Sequence, residues 1–550
     1  NPIAIMKATA EREGNIMDAS LLASRINSKF TVDNIQSLLY DLVSQGFINY
    51  DPEKQLIEIK EKVFHFTNAS QGKTDYDVMK IVSKTDEVNA LLNMRNNEMD
   101  IFGVNNVEFS VKQQVGAIPY GNAVIMKANR SLDFSGRLFA GFGLLSGRKF
   151  HFDYDRFQIG LDSVRFFDLY LPTGELDSEN KPIAKSLGSR LEYLSGVLLI
   201  DAPANKSGKD DIPIFPSLQS KEPSFVFYDY KFTQDSVYTR DSFYFKLDPF
   251  SFDHLDKFGI SDLKFKGELV SANIFPNIRE TLVLQDEDVS LGFLNQSPAN
   301  GYAAYTGKGN YTGKVHLSNK GLLGQGTLKY LGAVVNATDF IFRPKKMTAS
   351  ADRFDLEEER KPNAEVPQVR GADVTIDWRP YQDSMYVRSK DAPFNLFKPQ
   401  DHQLRGMLVL TPGGLKGVGT LDWPKASMTS DLFSFGAFSA LADTTDLNIK
   451  TLEPGSIALK TSKVDFDKNQ GTFVANDAFV VTTLPYNQYQ TSMNEFTWDM
   501  AEETITFKSD DAGFGKFLSI HPDQDSLKFD GKTAFYDLKT NELRIGGIPH

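Results

Sequence analysis

The side chains that could do chemistry are scattered along this chain of 550 residues, and few of them fall at spacings that define a site. Cysteine is absent, which excludes disulfides, thiolate metal sites and a cysteine nucleophile. No two of the seven histidines are spaced as a helical i, i+4 pair or as metal ligands, so we assign them structural or solvated roles. The motifs G-x-S-x-G, H-E-x-x-H and G-x-x-x-x-G-K-[ST] are also missing. We therefore predict a protein that is not an enzyme, with no catalytic residue and no cofactor.

One acidic stretch, residues 465–471 with the sequence DFDKNQG, resembles the start of a calcium-binding loop. Asp465, Asp467 and Asn469 would supply its first oxygen ligands. The sixth place of the loop is glutamine where calcium loops have glycine, and the twelfth is asparagine where they have glutamate. Aspartate, asparagine and glycine are also the residues of tight turns between strands. We favour a hairpin turn here and predict no metal site.

A run of glycines in the second half of the chain recurs after about 93 residues. Residues 313–330 read GKVHLSNKGLLGQGTLKY, and residues 406–423 read GMLVLTPGGLKGVGTLDW. Both copies continue through an F-x-F pair and then an A-D-x-x-D-L stretch. Self-similarity at a fixed period, with glycine turns between short strands, is typical of a stacked β array. We expect β repeats near 311–356 and 404–447.

The composition favours a β protein. Apolar residues make up 41% of the chain, which is enough for a packed core, and there are 43 phenylalanines against 3 tryptophans. In residues 149–161, KFHFDYDRFQIGL, apolar and polar side chains alternate until the pattern slips at Asp155–Arg156, where we expect a bulge or a corner between sheets. Strands then follow one another without a clear linker. We predict a mostly β fold with an elongated, repetitive β-solenoid or β-helix-like body, and favour it over a sandwich of ordinary domains.

Two stretches that are rich in proline, serine, lysine and aspartate interrupt this pattern, at residues 172–190 and 202–224. Such compositions are typical of loops. Loops on a rigid scaffold commonly carry binding function. We therefore expect both stretches to project from the β body as contact sites.

Residues 1–63 differ from the rest of the chain because their apolar residues recur at helical spacing. Three helices and a hairpin in FINYDPEKQLIEIK give a winged-helix-like order. The helices are predicted from Pro2 to Gly14, from Asp18 to Ile26 and from Thr31 to Gly46.

A winged-helix module raises the question of DNA binding, and the sequence argues against it. The third helix contains no lysine or arginine, whereas a helix that reads a DNA groove needs positive side chains. We predict a module that contacts protein or packs on the β body. The expected organisation is a helical module at 1–63, a β body at 64–300 and a β-repeat region at 301–550.

The net charge of −12 and the pI near 5.3 argue against nucleic acid or an anionic membrane surface as the main partner. No apolar run approaches the roughly 18–20 residues of a transmembrane helix, and no signal peptide opens the chain. The chain starts abruptly at Asn1 and ends within a strand-like pattern. We expect a piece of a longer protein or a mature fragment, with the repeat region continuing past the end.

The repeat G-L-x-G-x-G-T-L-x-[YW], with F-x-F, A-D-x-x-D-L and the upstream stretch LDFSGRLFAGFGLLSGRKFHFDYD, resembles large cell-envelope proteins of Bacteroidota. The resemblance extends over most of residues 64–550 and brings no known active site. It implies an exported protein, periplasmic or associated with the outer membrane or cell surface, with protein partners in the envelope. It also implies O-glycosylation of a serine or threonine that follows aspartate. That motif occurs at Ser163, Ser236, Ser384, Thr444 and Ser526.

These observations favour a non-enzymatic scaffold or binding protein of the cell envelope. The main alternative is a lipid or lipopolysaccharide conduit between membranes, whose open inner face the phenylalanines would line; the same phenylalanines can instead fill a closed core. A glycan-binding or glycan-cleaving β-helix is the third reading. A row of exposed aromatic residues beside clustered carboxylates would favour the glycan, and an entirely apolar groove would favour the lipid.

Overall fold

The computed structural model describes the chain apart from residues 177, 179–181, 230–236, 363, 399–400, 453–455, 476–481, 485–486, 494, 509–512 and 550. Strands account for 57% and helices for 12%, so the predicted mostly β class is confirmed, together with the small helical part at the N-terminus. No helix among the described residues has the length and apolar character needed to cross a membrane. The chain divides into two units. Unit 1 comprises Asn1–Phe227, Tyr244–Glu268 and Thr281–Leu291, and unit 2 comprises Tyr228–Phe243, Leu269–Glu280 and Gly292–His550.

Unit 1 begins with a helical module that has its own core. Two of its helix starts are capped by side chains, because Asn1 accepts from the Ile3 N–H (3.0 Å) and Asp18 from the Ser20 N–H (2.7 Å). The three predicted helices and the hairpin are present, with β1 and α4 in addition. The elements are α1 (Pro2–Glu13), β1 (Ile16–Asp18), α2 (Ala19–Ile26), α3 (Val32–Ser44), β2 (Ile48–Asp51), β3 (Leu56–Ile59) and α4 (Glu61–Ser70), with strand order β1-β3-β2. The core is formed by Met6, Leu22, Leu39, Ile57 and Val63, each fully buried.

A cluster of polar side chains connects the segment after α4, through Asp77, to the β body of unit 1. The Tyr154 hydroxyl donates to Asp77 Oδ2 (2.6 Å) and accepts from Arg130 Nη1 (3.0 Å). Lys206 Nζ lies 4.0 Å from the centre of the Tyr154 ring, although only 1% of this lysine is exposed. Burial raises the pKa of Tyr154 to about 12 and lowers the pKa of Lys206. Tyr154 therefore remains a neutral hydrogen-bond donor at physiological pH.

Beyond this module the chain is a succession of strands. In unit 1 they are β4 (Lys80–Ser83), β5 (Ala90–Asn93), β6 (Glu98–Phe102), β7 (Val104–Ser110), β8 (Val115–Pro119), β9 (Ala123–Met126), β10 (Leu132–Ala140), β11 (Gly143–Asp153), β12 (Gln158–Leu176), β13 (Pro182–Leu199), β14 (Ser217–Ser220), β15 (Ser224–Phe227) and β17 (Ser251–Phe252). Four strands have residues in both units: β16 (Phe243–Leu247), β18 (Phe265–Ser271), β19 (Ile278–Gln285) and β20 (Ser290–Gln296).

Unit 2 continues the succession to the end of the chain. Its strands are β21 (Tyr302–Ala304), β22 (Gly309–Ser318), β23 (Gly321–Tyr330), β24 (Ala333–Arg343), β25 (Lys346–Leu356), β26 (Glu359–Lys361), β27 (Ala364–Val366), β28 (Val369–Arg379), β29 (Ser384–Ser389), β30 (Phe394–Leu396), β31 (His402–Thr411), β32 (Gly414–Trp423), β33 (Ala426–Phe435), β34 (Ser439–Ala442), β35 (Thr445–Ile449), β36 (Ser456–Asp465), β37 (Gln470–Ala475), β38 (Thr482–Leu484), β39 (Tyr489–Thr491), β40 (Glu495–Asp499), β41 (Thr504–Lys508), β42 (Gly515–Ser519), β43 (Lys528–Gly531), β44 (Thr533–Asp537) and β45 (Glu542–Gly546).

Most strands pair with a strand close to them in sequence, and the pairings within the described part of the chain are antiparallel. In unit 1, β10 pairs with β11 from Leu132↔Phe152 to Ala140↔Gly143, and β11 pairs with β12. In unit 2, β22 through β25 follow one another in the same way. Each of these reversals is a hairpin. The described strands therefore form no parallel coils of a β-helix, and for this part of the chain the β-helix-like expectation is corrected.

Several hairpins close with the same turn. In residues 537–541, Asp537 Oδ1 accepts from the N–H groups of Lys539 (2.9 Å) and Thr540 (3.0 Å), and Asn541 takes a left-handed conformation with φ of 57°. The aspartate side chain accepts hydrogen bonds from the free N–H groups of the turn. The left-handed residue at the end of the turn directs the chain into the next strand. Related turns occur at 51–55, 93–97, 465–469 and 499–503.

One face of the sheet is buried in each unit and is rich in phenylalanine. Along β10, buried residues alternate with more exposed ones. In unit 1 the ring centres of Phe109 and Phe152 are 4.7 Å apart, and in unit 2 those of Phe275 and Phe342 are 4.8 Å apart. None of these rings is more than 3% exposed. The abundance of phenylalanine is therefore explained by packing of the buried face.

The long strands of unit 1 are interrupted near their middles, at positions that lie side by side. Register shifts fall at residues 134–136 in β10, 146–147 in β11 and 161–164 in β12. Further breaks separate β6 from β7, β8 from β9, and β14 from β15. We call this row of breaks the crease, because a bulge bends its strand and leaves a residue unpaired. The slip predicted as a bulge at Asp155–Arg156 is instead the hairpin turn between β11 and β12.

Unit 2 has a crease of its own, built on facing glycines. Gly313 faces Gly326 between β22 and β23, and Gly406 faces Gly419 between β31 and β32. A Cβ at Gly419 would lie 2.0 Å from the Arg405 carbonyl oxygen, and its φ of 128° is one that other residues rarely adopt. In both copies the register to the following strand shifts next to the second glycine. The two stretches that are similar in sequence therefore occupy equivalent registers.

Neither stretch expected to project as a loop does so along its whole length. β12 runs to Leu176 and β13 starts at Pro182, so most of residues 172–190 belong to a two-stranded hairpin. In residues 202–224, Asn205 and Lys206 are buried and four residues form β14. Asn205 Nδ2 donates to Asp201 Oδ2 (3.1 Å), which turns this segment back onto the body. In residues 202–224 the polar composition misled the prediction, because polar groups such as the Asn205 amide are satisfied internally.

Candidate functional site

Two adjoining clefts lie along the outer side of the crease in unit 1. Their volumes are 680 and 720 Å³, and both are lined by Tyr120 and Asp162. We call the pair the outer cleft. Its other charged and aromatic lining residues are Asp100, Phe102, Asp133, Phe134, Arg148, Lys149, Phe150, His151, Arg165, Phe166, Tyr193 and Glu222.

The bulges of the crease create this cleft. Ser135 falls in the register shift of β10, and Asp162 and Ser163 fall in that of β12. A bulged residue is released from strict alternation, so its side chain is re-aimed. Gly147 lies between them, and a Cβ there would be 2.3 Å from the Ser163 carbonyl oxygen and 2.8 Å from Phe150 Cζ. Because Gly147 has no side chain, β11 and β12 can lie close together, and open space remains on the outer side of the sheet.

A chain of charges crosses one end of the outer cleft. His151 Nδ1 is 2.5 Å from Asp133 Oδ1, Lys127 Nζ is 3.0 Å from Asp133 Oδ2, and Lys127 Nζ is 2.7 Å from Glu98 Oε1. Burial acts to raise the pKa of Asp133, but hydrogen bonds from His151 and Lys127 outweigh it, and this pKa lies below its ordinary value. The hydrogen bonds to Glu98 and Asp133 raise the pKa of Lys127. The Asp133 carboxylate and the Lys127 ammonium are therefore charged at neutral pH.

The other end of the outer cleft holds charged groups of both signs with no ion pair to any described residue. Arg148 and Arg165 are exposed guanidinium groups, and Asp162 and Glu222 are exposed carboxylates. Arg190 beside them is different, because its Nε lies 2.6 Å from Asp168 Oδ1. Unpaired planar groups can form bidentate hydrogen bonds with a ligand at little cost.

Aromatic rings stand next to these charges. Tyr120 is 48% and Tyr193 is 56% exposed, which is unusual for side chains with so much apolar surface. Tyr193 meets Phe225 and Phe227 edge-on at 6.4 and 6.3 Å, and Phe225 meets Tyr244 at 5.6 Å. We call Tyr193, Phe225, Phe227 and Tyr244 the aromatic row. Tyr193 has φ of 57°, a left-handed conformation of the kind that clusters at functional sites.

The outer cleft can bind a polar ligand but contains no group of three or more potential metal ligands among the described residues. Hydroxyl-rich molecules suit such a surface, because their C–H faces stack on aromatic rings and their hydroxyls bond to planar charged groups.

The calcium-like stretch lies in the turn between β36 and β37. Asp465 Oδ1 accepts from the Lys468 N–H (3.0 Å), and Lys468 Nζ lies 3.2 Å from Asp465 Oδ2. Asn469 takes the left-handed position that ends the turn, with φ of 52°. Asp467 lies within the same turn. The hairpin turn that the sequence favoured over a metal site is present.

The predicted O-glycosylation residues fall in different environments. Ser163, Thr444 and Ser526 are exposed, and Ser163 lines the outer cleft. Ser384 is only 7% exposed, so a sugar on it does not fit the folded chain. Ser236 lies outside the described residues.

The sequence analysis missed the residues of the outer cleft. Two signals could have found some of them: the adjacent polar pairs Arg148–Lys149 and Asp162–Ser163 both break the alternation of apolar and polar residues within a strand. Tyr120 and Tyr193 carry no such signal, because exposed and buried tyrosines look alike in a strand pattern.

Comparison with protein-family models gives no match for this chain, and comparison with curated proteins gives none either.

Proposed function

We propose that this chain is a non-enzymatic binding protein of the cell envelope and that the outer cleft binds a saccharide. The observation that supports the proposal best is the exposure of Tyr120 and Tyr193 beside Arg148 and Asp162, which form no ion pair with any residue that the structure describes. An exposed aromatic ring offers a stacking surface to a sugar ring, and the charged groups offer hydrogen bonds to its hydroxyls. The envelope location rests on the resemblance of the repeat to Bacteroidota proteins.

The size and setting of the outer cleft support a ligand of several sugar units. Ligand sites commonly have volumes of about 300–1,000 Å³, and here two clefts of that size adjoin. Most lining residues stand on strands, and Tyr120 and Glu222 stand in the short connections β8–β9 and β14–β15, so little conformational entropy is lost on binding. The repetitive β body, proposed here as a solenoid-like array of antiparallel strands, would serve as the scaffold; the equal registers of the two glycine-rich stretches support it.

A lipid conduit is the less favoured alternative. The phenylalanines that would line its channel pack against one another, as Phe109, Phe152 and Phe157 do with no exposed area. The outer cleft is lined by charges, whereas a lipid chain requires an apolar groove. A glycan-cleaving enzyme comes third, since its general acid needs a carboxyl group with a raised pKa, whereas the pKa of Asp133, which pairs with His151 in the cleft, is lowered.

A glycan array followed by calorimetry tests the proposal. We expect purified chain to bind a defined set of saccharides, and the double change Tyr120→Ala with Tyr193→Ala to weaken binding at least about tenfold, which corresponds to roughly 1.4 kcal/mol. Tyr40→Ala is the matched control, since Tyr40 is also 50% exposed but belongs to α3 of the helical module. Absence of saccharide binding, with lipid retained at a defined ratio in native mass spectrometry, would overturn the proposal in favour of the conduit.

A further inference from the structure

The imidazole ring of His65 connects α4 to the β body of unit 1 through contacts with aromatic rings. Its centre lies 5.1 Å from that of Tyr76, in the segment after α4, and 6.4 Å from that of Tyr154, in the turn between β11 and β12. His65 Nε2 is buried and has no hydrogen-bond partner among the residues that the structure describes. A neutral imidazole suits this position better than a protonated one, because it need not bury an N–H donor without an acceptor.

The charged and titratable groups around His65 come from four segments of unit 1. They are Tyr76 and Asp77 after α4, Arg130 in the turn between β9 and β10, Tyr154 and Asp155 in the turn between β11 and β12, and Lys206 after β13. Burial and the positive charges of Arg130 and Lys206 lower the pKa of His65, and the two carboxylates offset them only in part.

Tyr154 holds both cations in this cluster. Arg130 Nη1 donates to its hydroxyl (3.0 Å), and Lys206 Nζ lies 4.0 Å from the centre of its ring. Lys206 is 1% exposed and has no ion pair with any described residue. Asp77 Oδ2 already accepts a hydrogen bond from the Tyr154 hydroxyl (2.6 Å). A positive charge on His65 would therefore be added next to a buried cation that lacks a carboxylate partner.

Residues 74–77, which we call the anchor segment, attach the end of the helical module to the segment after β13. The Asp75 N–H donates to the Pro203 carbonyl oxygen (3.3 Å), and the Ser207 N–H donates to Asp75 Oδ2 (3.2 Å). Lys206 Nζ donates to Thr74 Oγ1 (3.4 Å). Because His65 packs on Tyr76 of the anchor segment, α4 and this segment share one contact with the β body.

We propose that protonation of His65 weakens this contact, so that mild acid loosens the helical module from the β body. The protonated ring has an Nε2–H donor with no acceptor and carries the same charge as Arg130 and Lys206. Separation from the body returns the ring to water and removes both costs. The device does not depend on saccharide binding.

The direction of the pH dependence follows from the lowered pKa of docked His65. A histidine in water has a pKa of about 6.5, so the separated state takes up a proton more readily than the docked state as pH falls. Docking is therefore strongest above about pH 6.5 and weakens as pH falls through the pKa of the docked ring.

Hydrogen exchange of the full chain, corrected for the intrinsic effect of pH, tests the proposal. We expect the protection of amides in residues 74–78 and 203–208 to fall about fivefold or more between pH 7.5 and pH 5.0. His65→Phe keeps an aromatic ring that cannot be charged, and it should limit this fall to less than about twofold. His65→Gln is a second uncharged variant, in case the larger ring of phenylalanine does not fit.

His316→Phe is the matched control, because it replaces a histidine of β22 in unit 2 and should keep the full response. Unchanged protection of the unmodified chain between the two pH values would overturn the proposal. An equal fall in the uncharged His65 variants and the unmodified chain would overturn it as well, since another group would then be the one that responds to acid.

Discussion

Both units have a crease that interrupts their strands, but the residues at the interruption differ between the two units. In unit 1 the bulged positions carry polar side chains, such as Ser135 and Asp162, which turn outward and line a cleft. In unit 2 the strands meet at facing glycines, such as Gly406 and Gly419, where the backbones approach too closely for any side chain. A broken ladder bends the sheet in both cases. The residue types at the break decide whether the outer side of the sheet carries an open cleft or a tight contact between backbones.

The charges beside the two creases differ as well. A cleft of 440 Å³ in unit 2 contains Arg353 and Arg370, and both lie near Asp355, at 2.5 and 3.4 Å. Arg148 and Arg165 of the outer cleft have no ion pair to any residue that the structure describes. A guanidinium that already has a carboxylate partner gains little from a ligand. This difference is why the proposed binding site is placed in unit 1.

Replacing Gly419 by alanine is expected to have the largest effect of the changes that separate the two creases. The new Cβ would lie 2.0 Å from the Arg405 carbonyl oxygen at a disfavoured φ, so the free energy of unfolding should fall by about 3 kcal/mol in urea titrations. Gly413→Ala, in the turn of the same hairpin, meets its nearest atom at 3.7 Å and should change this free energy by less than about 1 kcal/mol. Equal stability of the two variants would show that the facing glycines are dispensable.

The buried tyrosines of unit 2 should make it sensitive to alkali. Burial raises the pKa of Tyr238 to about 12, and its hydroxyl accepts from the Leu322 N–H (3.2 Å). The stability that the neutral hydroxyl supplies is complete below the unfolded pKa of about 10 and is lost as pH rises toward 12. We expect Tyr238→Phe to reduce the loss of unfolding free energy between pH 8 and pH 11.5 by about 1 kcal/mol. An unchanged loss over this interval would contradict the assignment.

The charge chain of unit 1 should respond to acid instead, and more weakly. The lowered pKa of Asp133 supplies stability above the unfolded pKa of about 3.9, which is lost as pH falls through the folded value. Because Asp133 is 38% exposed, solvent screening limits the effect, and Asp133→Asn should reduce the acid-induced loss of stability by about 0.5 kcal/mol. Asp86→Asn, at an exposed position away from the chain of charges, is the control. Identical acid titrations of the two variants would argue against the ion pairs.

The sequence predicted the helical module well because local signals determine it. Proline at the start of α1, the glycines after α1 and α3, and the short hairpin all act within a few residues. Helix α4 was missed, since its ten residues follow the hairpin directly and carry a weak pattern. The alternation in the β body predicted strands and buried phenylalanines, but alternation is the same in parallel and antiparallel sheets. The β-helix expectation failed for that reason.

The outer cleft could not be predicted from the sequence for a different reason. It assembles Tyr120 from the turn between β8 and β9 with Asp162 of β12 and Tyr193 of β13, and their proximity depends on where the register shifts. The sequence did show a shift in phase, but at Asp155–Arg156, where a hairpin turn lies. A turn and a bulge both reset the alternation, and only the pairing tells them apart.

The pairing of strands with their neighbours in sequence also affects how the chain reaches its fold. A hairpin such as β44–β45 joins residues that are close along the chain, and hairpins of this kind form in about 1–10 μs. Folding is faster when contacting residues are near in sequence, since less entropy is lost in closing the loop between them. A strand whose partner precedes it in the chain finds that partner already synthesised, as β45 finds β44. The sheet can therefore grow in the order in which the chain is made, without waiting for a distant segment.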